Sequence, residues 1–250
     1  MNRHIPFARL HNFRDLGGYT TADGRTVRSG ILFRADSLGK LAGDGEETRA
    51  DRERFLSLGI RTVVDLRYPW EIEAKGRVPE HPSLTYHNLS IEHRPYDQPS
   101  LAASVDPGPY LAERYAEVAE DGTRELREVL QLIAEAGESE APLVFHCASG
   151  KDRTGLVAAL VLSLLGAPEK TVVEDFALTE LATDRLIADW RAANPDRALT
   201  WPGYGRAPAE VMTLFLASLN ARYGSVRSYA THTLHLDPTL TESLRATLLD

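Results

Sequence analysis

A ten-residue segment, His146–Gly155, contains residue types that could carry chemistry. It places the only cysteine of the chain, Cys147, six positions before Arg153, with Gly150 between them. An apolar run precedes the segment and a helical pattern follows it, so we predict that it joins a buried strand to a helix. At such a junction, backbone N–H groups and the positive end of the helix can together bind a dianionic phosphate.

The same positive environment favours the thiolate form of Cys147 over the thiol. A thiolate in a phosphate cradle is placed for in-line attack on phosphorus, which would give a thiophosphoryl-cysteine intermediate. We therefore predict that Cys147 is the nucleophile, and that Arg153 grips two phosphate oxygens in a bidentate fork. The alternative, a buried small hydrophobe, leaves the surrounding polar residues unexplained. The predicted phosphate-binding residues are Ala148, Ser149, Gly150, Lys151, Arg153 and Thr154, the last also as a hydrogen-bond donor to the sulfur.

The form His-Cys-x-x-Gly-Lys-Asp-Arg-Thr-Gly resembles the loop of protein tyrosine phosphatases, and within them a bacterial dual- or triple-specificity branch that includes the secreted mycobacterial type. The segments 12–18, 65–67 and 223–224 are also similar to that branch. The resemblance implies a phosphatase fold, no metal and no other cofactor. It implies hydrolysis of phosphotyrosine, with phosphoserine and phosphothreonine as further substrates. The implied partners are a phosphorylated protein or a phosphoinositide as substrate and inorganic phosphate as product.

The leaving oxygen needs a proton, which a carboxylic acid within hydrogen-bond reach can supply. Asp152 is the first candidate, because the matching aspartate has this role in the branch that the chain resembles. The alternative is that Asp152 only balances the charges of Lys151 and Arg153, since two adjacent cations favour its ionised form. Asp97 and Asp106, in a proline-rich loop upstream, are the other candidates for the acid.

Asp65 and His146 are predicted to support the loop. Lys151 either binds a second phosphate or pairs with a carboxylate such as Asp65, at the end of a predicted strand. His146 is predicted to support the loop through hydrogen bonds rather than to take part in chemistry. Arg67 and Glu71 have helical spacing, which is typical of an ordinary surface ion pair.

The elements that must position the loop alternate between predicted strands and helices. This alternation predicts an α/β fold in which helices flank a central, mostly parallel sheet, with additional C-terminal helices. Residues 16–34 are predicted to form a β-hairpin. The predicted strands and the predicted helix that frame the site are Ile60–Leu66, Leu84–Leu89, Leu143–His146 and Thr154–Leu165.

Two pairs of residues, Asp44 with Glu47 and Thr239 with Glu242, have capping-box spacing and predict helix starts. No internal repeat or linker divides the chain, so we predict a single phosphatase domain over residues 1–250. The long irregular or helical stretches near 91–122 and 180–207 are predicted lid insertions over the site.

Composition limits the partners and the compartment. A net charge of -8 and a pI near 5.5 argue against nucleic-acid binding. The longest apolar run, Leu156–Leu165, is shorter than the roughly 20 residues that a membrane span needs. Residues 1–10 lack the apolar core of a signal peptide, so we expect a cytoplasmic protein. A single cysteine excludes an intramolecular disulfide and a tetracysteine metal site.

Three other functions are compatible with a cysteine in such a loop. A non-catalytic module would bind phosphorylated partners without turnover, although a cysteine, an arginine and a hydroxyl residue together argue for catalysis. A sulfurtransferase of rhodanese type would form a persulfide and has less need of Arg153. A phosphoinositide phosphatase would keep the chemistry, with Lys151 meeting a second phosphate.

Overall fold

A five-stranded sheet lies at the centre of the fold. The computed structural model describes residues 3–250, and residues 1 and 2, at the start of the segment predicted to lack a signal peptide, lie outside it. Four strands run parallel and the short first strand pairs antiparallel at one edge, which confirms the predicted α/β class. In sheet order the strands are β1 (Arg14–Asp15), β2 (Leu32–Ala35), β5 (Leu143–His146), β3 (Thr62–Asp65) and β4 (Thr85–Asn88).

The register of the sheet brings the ends of three strands together. Ala35 at the end of β2 lies beside His146 at the end of β5, which in turn lies beside Asp65 at the end of β3. The loop that follows β5 therefore emerges between the carboxyl ends of two neighbouring parallel strands. This edge of an open α/β sheet is where ligands bind.

Helices and the N-terminal segment bury the two faces of the sheet. Val63 and Val144 belong to one apolar cluster, completed by the N-terminal residues and α1, whereas Val64 and Phe145 belong to the larger cluster formed by most other helices. This alternation explains why both middle residues of each of the two central strands, β3 and β5, are apolar. The helices are α1 (Glu46–Ser57), α2 (Pro69–Lys75), α3 (Pro107–Asp121), α4 (Thr123–Glu138), α5 (Asp152–Leu165), α6 (Glu169–Ala177), α7 (Thr183–Ala193), α8 (Ala209–Tyr223), α9 (Val226–His232) and α10 (Pro238–Leu248).

The central helix α5 carries the long apolar run of the sequence. Nearly every residue of Leu156–Leu165 is buried, as expected of a core helix, and the helix ends at Gly166 in the left-handed conformation with φ 92°. Within residues 3–250, none of the helices combines the length and the apolar character that crossing a bilayer requires.

Three local predictions were wrong. Residues 16–34 form no regular ladder: the isolated bridge Thr20–Thr26 and single backbone hydrogen bonds, such as that from the Val27 N–H to the Tyr19 carbonyl (2.8 Å), connect the two arms, and the regular antiparallel pairing is between β1 and β2. Neither predicted capping box exists, because α1 starts after Gly45 and α10 starts after Asp237. At α10 the stronger signal is an aspartate cap followed by Pro238, whose fixed φ and missing N–H suit the first helical position.

Candidate active site

The carbonyl groups of the loop between β5 and α5 accept hydrogen bonds from residues outside the loop. The Ser37 N–H donates to the Ala148 carbonyl (3.1 Å), Asn12 Nδ2 donates to the Ser149 carbonyl (3.0 Å), and Arg34 Nη2 donates to the Gly150 carbonyl (2.8 Å). These partners lie behind the loop, on β2 and the segments next to β1 and β2. Three consecutive carbonyls are thereby kept away from the centre of the curl, which leaves that centre to N–H groups.

Gly150 is required by the shape of the loop. Its φ of 67° lies in the left-handed region, and a Cβ at this position would lie 2.6 Å from the Ala35 carbonyl oxygen. A residue with a side chain would therefore be strained in conformation and would collide with the end of β2. Gly150 thus permits both the tight curl of the loop and its close contact with β2.

The helix after the loop begins two residues earlier than predicted, at Asp152 rather than Thr154. Asp152, Arg153 and Thr154 therefore form its first turn, where backbone N–H groups have no partner within the helix. The positive end of α5 thus faces the loop. Thr154 Oγ1 is buried and has no hydrogen-bond partner within residues 3–250.

Cys147 is the first residue of the loop, which we call the floor of the pocket, and Arg153 lies in the first turn of α5. The cysteine is 1% exposed, and the residues after it line a pocket of about 500 Å³. Burial by itself would lower the pKa of Arg153, but hydrogen bonds to Glu71 and the nearby charge of Cys147 raise it above its ordinary value. The guanidinium thus remains charged, and it lies near enough to Cys147 for the two groups to interact electrostatically.

Glu71 is a site residue that the sequence analysis misassigned. It accepts hydrogen bonds from both terminal nitrogens of Arg153, with a distance of 3.0 Å from Nη2 to Oε1. The prediction of a surface ion pair between Glu71 and Arg67 was wrong, because α2 starts only at Pro69 and Arg67 lies before it. Arg67 is buried instead and donates to Asp65 at 2.6 Å.

Asp65 and His146 support the loop from the end of the sheet. Both side chains are fully buried, with His146 Nε2 3.5 Å from Asp65 Oδ2. His146 Nδ1 lies 3.2 Å from the Cys147 carbonyl oxygen. Burial lowers the pKa of His146, so its ring is neutral at physiological pH. Both residues thus lie beside the start of the loop, at the end of the sheet.

Lys151 is buried and does not contact Asp65. Its Nζ lies 3.4 Å from Asp152 Oδ1 and 3.5 Å from Gln98 Oε1, at the wall of the pocket. Asp152 also accepts hydrogen bonds from the Tyr115 hydroxyl (2.8 Å) and from Gln98 Nε2 (3.2 Å). The carboxylate of Asp152 therefore has a fixed orientation beside the loop.

The other two acid candidates, Asp97 and Asp106, do not line the pocket. Asp97 pairs with Arg197 at 2.6 Å in a half-exposed position. Asp106 caps α3 by accepting a hydrogen bond from the Gly108 N–H. Both carboxylates thus have structural partners away from the loop.

Both predicted lid segments contribute to the walls of the pocket. The first supplies Glu92, Tyr96 and Gln98, and the second supplies Trp190 and other residues of α7. Aromatic side chains are frequent around the opening. They are Tyr68, Trp70, Tyr96, Trp190 and Tyr204.

A buried charge network behind the loop was also missed. Asp175 of α6 binds Arg14 and Arg34, and all three side chains are essentially inaccessible to solvent. Burial would raise the pKa of Asp175, but the two guanidinium groups lower it to about 2. Because Arg34 also holds Gly150, this network fixes the back of the loop. No local pattern marks Asp175, which lies 141 residues from Arg34.

A comparison with known protein families identifies the chain. The model of the tyrosine phosphatase family matches residues 5–250, which is nearly the whole sequence. The chain belongs to the tyrosine phosphatase family. The match confirms the predicted family and the predicted enzyme class, a cysteine-dependent phosphatase.

Bacterial relatives of this tyrosine phosphatase cover most of its length. A protein of Cupriavidus necator, provisionally named a tyrosine-protein phosphatase, is 29% identical over 94% of this chain and 86% of its own. A tyrosine-protein phosphatase of Nostoc commune is 28% identical over 78% of this chain and 68% of its own. The triple specificity protein phosphatase PtpB of Mycobacterium tuberculosis is 29% identical over 74% of this chain and 72% of its own.

Proposed function

We propose that this phosphatase hydrolyses phosphotyrosine in proteins, and phosphoserine and phosphothreonine more slowly, with Cys147 as nucleophile. One observation carries the proposal: Cys147 begins a loop in which three consecutive carbonyls are bound from outside, and this loop leads into the positive end of α5. In this environment a thiolate and a phosphate dianion are both stabilised by the same N–H groups. The names of the relatives support phosphotyrosine as the main substrate.

In the first step the Cys147 thiolate attacks phosphorus, and the bond from phosphorus to the leaving oxygen breaks. Arg153 exchanges its fork to Glu71 for two oxygens of the phosphoryl group and holds them more tightly in the transition state. The backbone N–H groups of residues 148–154 hold the remaining charge. The product of this step is thiophosphoryl-Cys147 and a free alcohol or phenol.

In the second step water attacks the phosphoryl group, and inorganic phosphate leaves. We assign both proton transfers to Asp152, which Tyr115 and Gln98 hold beside the loop: it gives a proton to the leaving oxygen in the first step and takes one from the attacking water in the second. Thr154 Oγ1, which has no other partner in the described chain, donates a hydrogen bond to the departing sulfur. Lys151 raises the positive potential over the loop.

The walls of the pocket favour an aromatic phosphoester. Tyr68 and Trp70 are stacked at 5.4 Å between ring centroids, and Trp70 is 57% exposed at the opening. A phosphotyrosine ring entering between such side chains gains offset or edge-to-face contacts that a phosphoserine lacks. We assign the segments 91–122 and 180–207, within the one domain, to lids over this pocket. A lone reactive thiol is best preserved in a reducing compartment, so we place the enzyme in the cytosol.

The test is hydrolysis of p-nitrophenyl phosphate and of a panel of phosphopeptides and phosphoinositides by the purified protein. We expect turnover of phosphotyrosine peptides first, with complete loss in Cys147→Ser and retained phosphate binding in that variant. Hydrolysis by Cys147→Ser would refute the nucleophile. Binding without any turnover by the wild type would indicate a non-catalytic phosphate-binding module. A preference for phosphoinositides would mean that the substrates are lipids rather than proteins. Cyanide consumption with thiosulfate would reveal a sulfurtransferase.

A further inference from the structure

Gln98 is a side chain in the wall of the pocket that contacts both charged residues at the start of α5. It begins a short 3-10 helix, Gln98–Ser100, on the irregular segment between β4 and α3. Its Nε2 donates a hydrogen bond to Asp152 Oδ2 (3.2 Å), and Lys151 Nζ lies 3.5 Å from its Oε1. One amide group thus connects this segment to the residue that carries both proton transfers in the proposed function.

The two oxygens of Asp152 are held by residues that are anchored in different ways. Oδ1 accepts a hydrogen bond from the hydroxyl of Tyr115 (2.8 Å), which is 2% exposed. The Tyr115 ring packs edge-on against Phe176 and Phe215, so the core fixes this donor. Oδ2 accepts its hydrogen bond from Gln98, whose position depends on what holds its own segment. Because each oxygen has its own donor, the plane of the carboxyl group depends on both donors.

The residue after Gln98 is tied to a much later part of the chain. The carbonyl of Pro99 accepts hydrogen bonds from the Thr200 N–H (3.2 Å) and from the Thr200 hydroxyl (3.0 Å). The same hydroxyl lies 2.9 Å from the Leu101 carbonyl oxygen. The backbone on both sides of Pro99 therefore follows the position of Thr200.

Two further contacts join the same two parts of the chain. Trp201 is 1% exposed, and its Nε1 donates to the Val105 carbonyl (2.9 Å). Arg197 Nη2 lies 2.6 Å from Asp97 Oδ2 and also donates to the Ser100 hydroxyl (3.1 Å). The Arg197 and Asp97 side chains are about half exposed, so water can replace this ion pair at little cost.

These contacts make one unit of residues 97–105 and 194–204, which we call the cover. It combines parts of the two stretches that the sequence predicts as separate lids. The residues that the cover adds to the walls of the pocket are Gln98, Pro99, Asn194 and Tyr204. A substrate that fills the pocket therefore contacts the cover, and Gln98 links the position of the cover to Asp152.

We propose that the cover sets the orientation of the Asp152 carboxyl group through Gln98, which makes Gln98 a positioning residue for proton transfer. This inference rests on the proposed function, because it needs Asp152 as the proton donor. As the sulfur–phosphorus bond forms and the phosphorus–oxygen bond breaks, Asp152 gives its proton to the leaving oxygen, and it regains one from water in the second step. A displaced cover withdraws Gln98, and the carboxyl group can then rotate. Contacts between the substrate and the cover, remote from phosphorus, thereby contribute to catalysis.

The test is the dependence of kcat/KM on the leaving group, because the leaving group departs in the first step. Phenyl phosphate has a basic leaving group that needs a proton, whereas 2,4-dinitrophenyl phosphate has an acidic one that does not. Gln98→Met keeps the size of the side chain and removes its hydrogen bonds. We expect kcat/KM of this variant to fall about 10- to 100-fold with phenyl phosphate and less than about threefold with the dinitrophenyl ester, since only part of the contribution of the acid is lost.

A second variant, Arg197→Ala/Thr200→Val, removes side-chain ties of the cover at a distance from the chemistry. Within residues 3–250, neither Arg197 nor Thr200 lines the pocket. We expect the same selectivity, with a loss of about three- to tenfold for phenyl phosphate alone. Adding these two substitutions to Gln98→Met should cause no further loss, because the cover acts on Asp152 through Gln98.

Arg206→Ala is the matched control for the second variant. Its guanidinium pairs with Glu180 (2.6 Å) at the surface, in the same stretch of chain but outside the cover. Both esters should therefore keep the wild-type kcat/KM in this variant.

Equal losses for the two esters in Gln98→Met would overturn the inference. It would also be overturned if Arg197→Ala/Thr200→Val behaved like the control, or if its loss added fully to that of Gln98→Met. Asp152→Asn separates the two proposals. If that variant shows no selective loss with phenyl phosphate, the proton transfers assigned in the proposed function are wrong, whereas a selective loss there leaves the Gln98 results to decide on the cover alone.

Discussion

The floor and the opening of the pocket are held together by different physical means. Behind the floor, Asp175 binds Arg14 and Arg34 with all three side chains buried. At the opening, Asp189 of α7 binds Lys40 at 2.6 Å, and it remains 46% exposed. Buried ion pairs are lost only at a large cost, whereas exposed pairs contribute little and are screened by salt. The loop is therefore preorganised for phosphate, and the opening can adjust to the rest of the substrate.

The largest expected loss of activity is that of Gly150→Ala, a substitution in the loop at the floor of the pocket. The added Cβ would meet the Ala35 carbonyl oxygen at 2.6 Å, in a backbone conformation that alanine rarely adopts. Because the cradle cannot then close, we expect kcat/KM for p-nitrophenyl phosphate to fall at least about 100-fold.

Gly24→Ala is the matched control for that variant. Gly24 also has a positive φ, 87°, but a Cβ there meets nothing within 4 Å. We expect Gly24→Ala to introduce backbone strain but no steric clash. The variant should therefore lose some free energy of unfolding and keep the activity of the wild type. Similar activity in the Gly150 and Gly24 variants would contradict the assigned shape of the loop.

The next effect concerns the network behind the floor. Asp175→Asn leaves two buried guanidinium groups without a counter-charge, and we expect it to reduce the free energy of unfolding by about 3–5 kcal/mol. Asp23→Asn is its matched control, since Asp23 also pairs with two arginines, Arg25 and Arg245, but at the surface. Chemical denaturation of both variants measures the difference. Equal losses of unfolding free energy in the two variants would show that burial does not make the Asp175 ion pairs more important for stability than the exposed Asp23 pairs.

The same network predicts a pH dependence of stability. The pKa of Asp175 is about 2 in the folded chain, below its ordinary value of 3.8. The unfolded chain therefore binds the proton first as the pH falls. The stabilisation by Asp175 is complete above about pH 4 and is lost as the pH falls towards 2, and the denaturation midpoint of Asp175→Asn should depend less on pH over that window.

The smallest effect is expected at the opening. Asp189→Asn removes the partner of His11 and one of the two carboxylates that bind Lys40, and the lost stability should be at most about 1 kcal/mol. We expect KM for a phosphopeptide to change by at most about fivefold, with kcat unaltered. Steady-state kinetics at low and high salt measures both constants, with a smaller effect of the substitution at high salt. A large loss of kcat would mean that this contact belongs to the catalytic floor.

The sequence predicted the loop well because its chemistry lies in consecutive residues. The spacing of Cys147, Gly150 and Arg153, together with the strand and helix patterns on either side, was enough to predict them as candidate site residues. Glu71 and Asp175 were not predicted as site residues, since the sheet register and helix packing bring them to the loop from distant parts of the chain. Arg153 and Glu71, for example, are 82 residues apart.

Secondary structure shows the same division. The buried strands and the core helix α5 followed from continuous apolar runs, which depend on local composition. The predicted capping boxes were wrong because several nearby residues could begin each helix. At α10, Asp237 as the cap with Pro238 at the first helical position begins the helix instead.

The central claim is that the Cys147 sulfur carries the phosphoryl group during turnover. Rapid acid quench of the enzyme with excess phosphotyrosine peptide, followed by peptide mass spectrometry, tests it directly. The account predicts one added phosphoryl mass on the peptide that contains Cys147 within the first turnover, and none in Cys147→Ser. Product release in wild type with no phosphorylated Cys147, or a phosphoryl group on another residue, would contradict it.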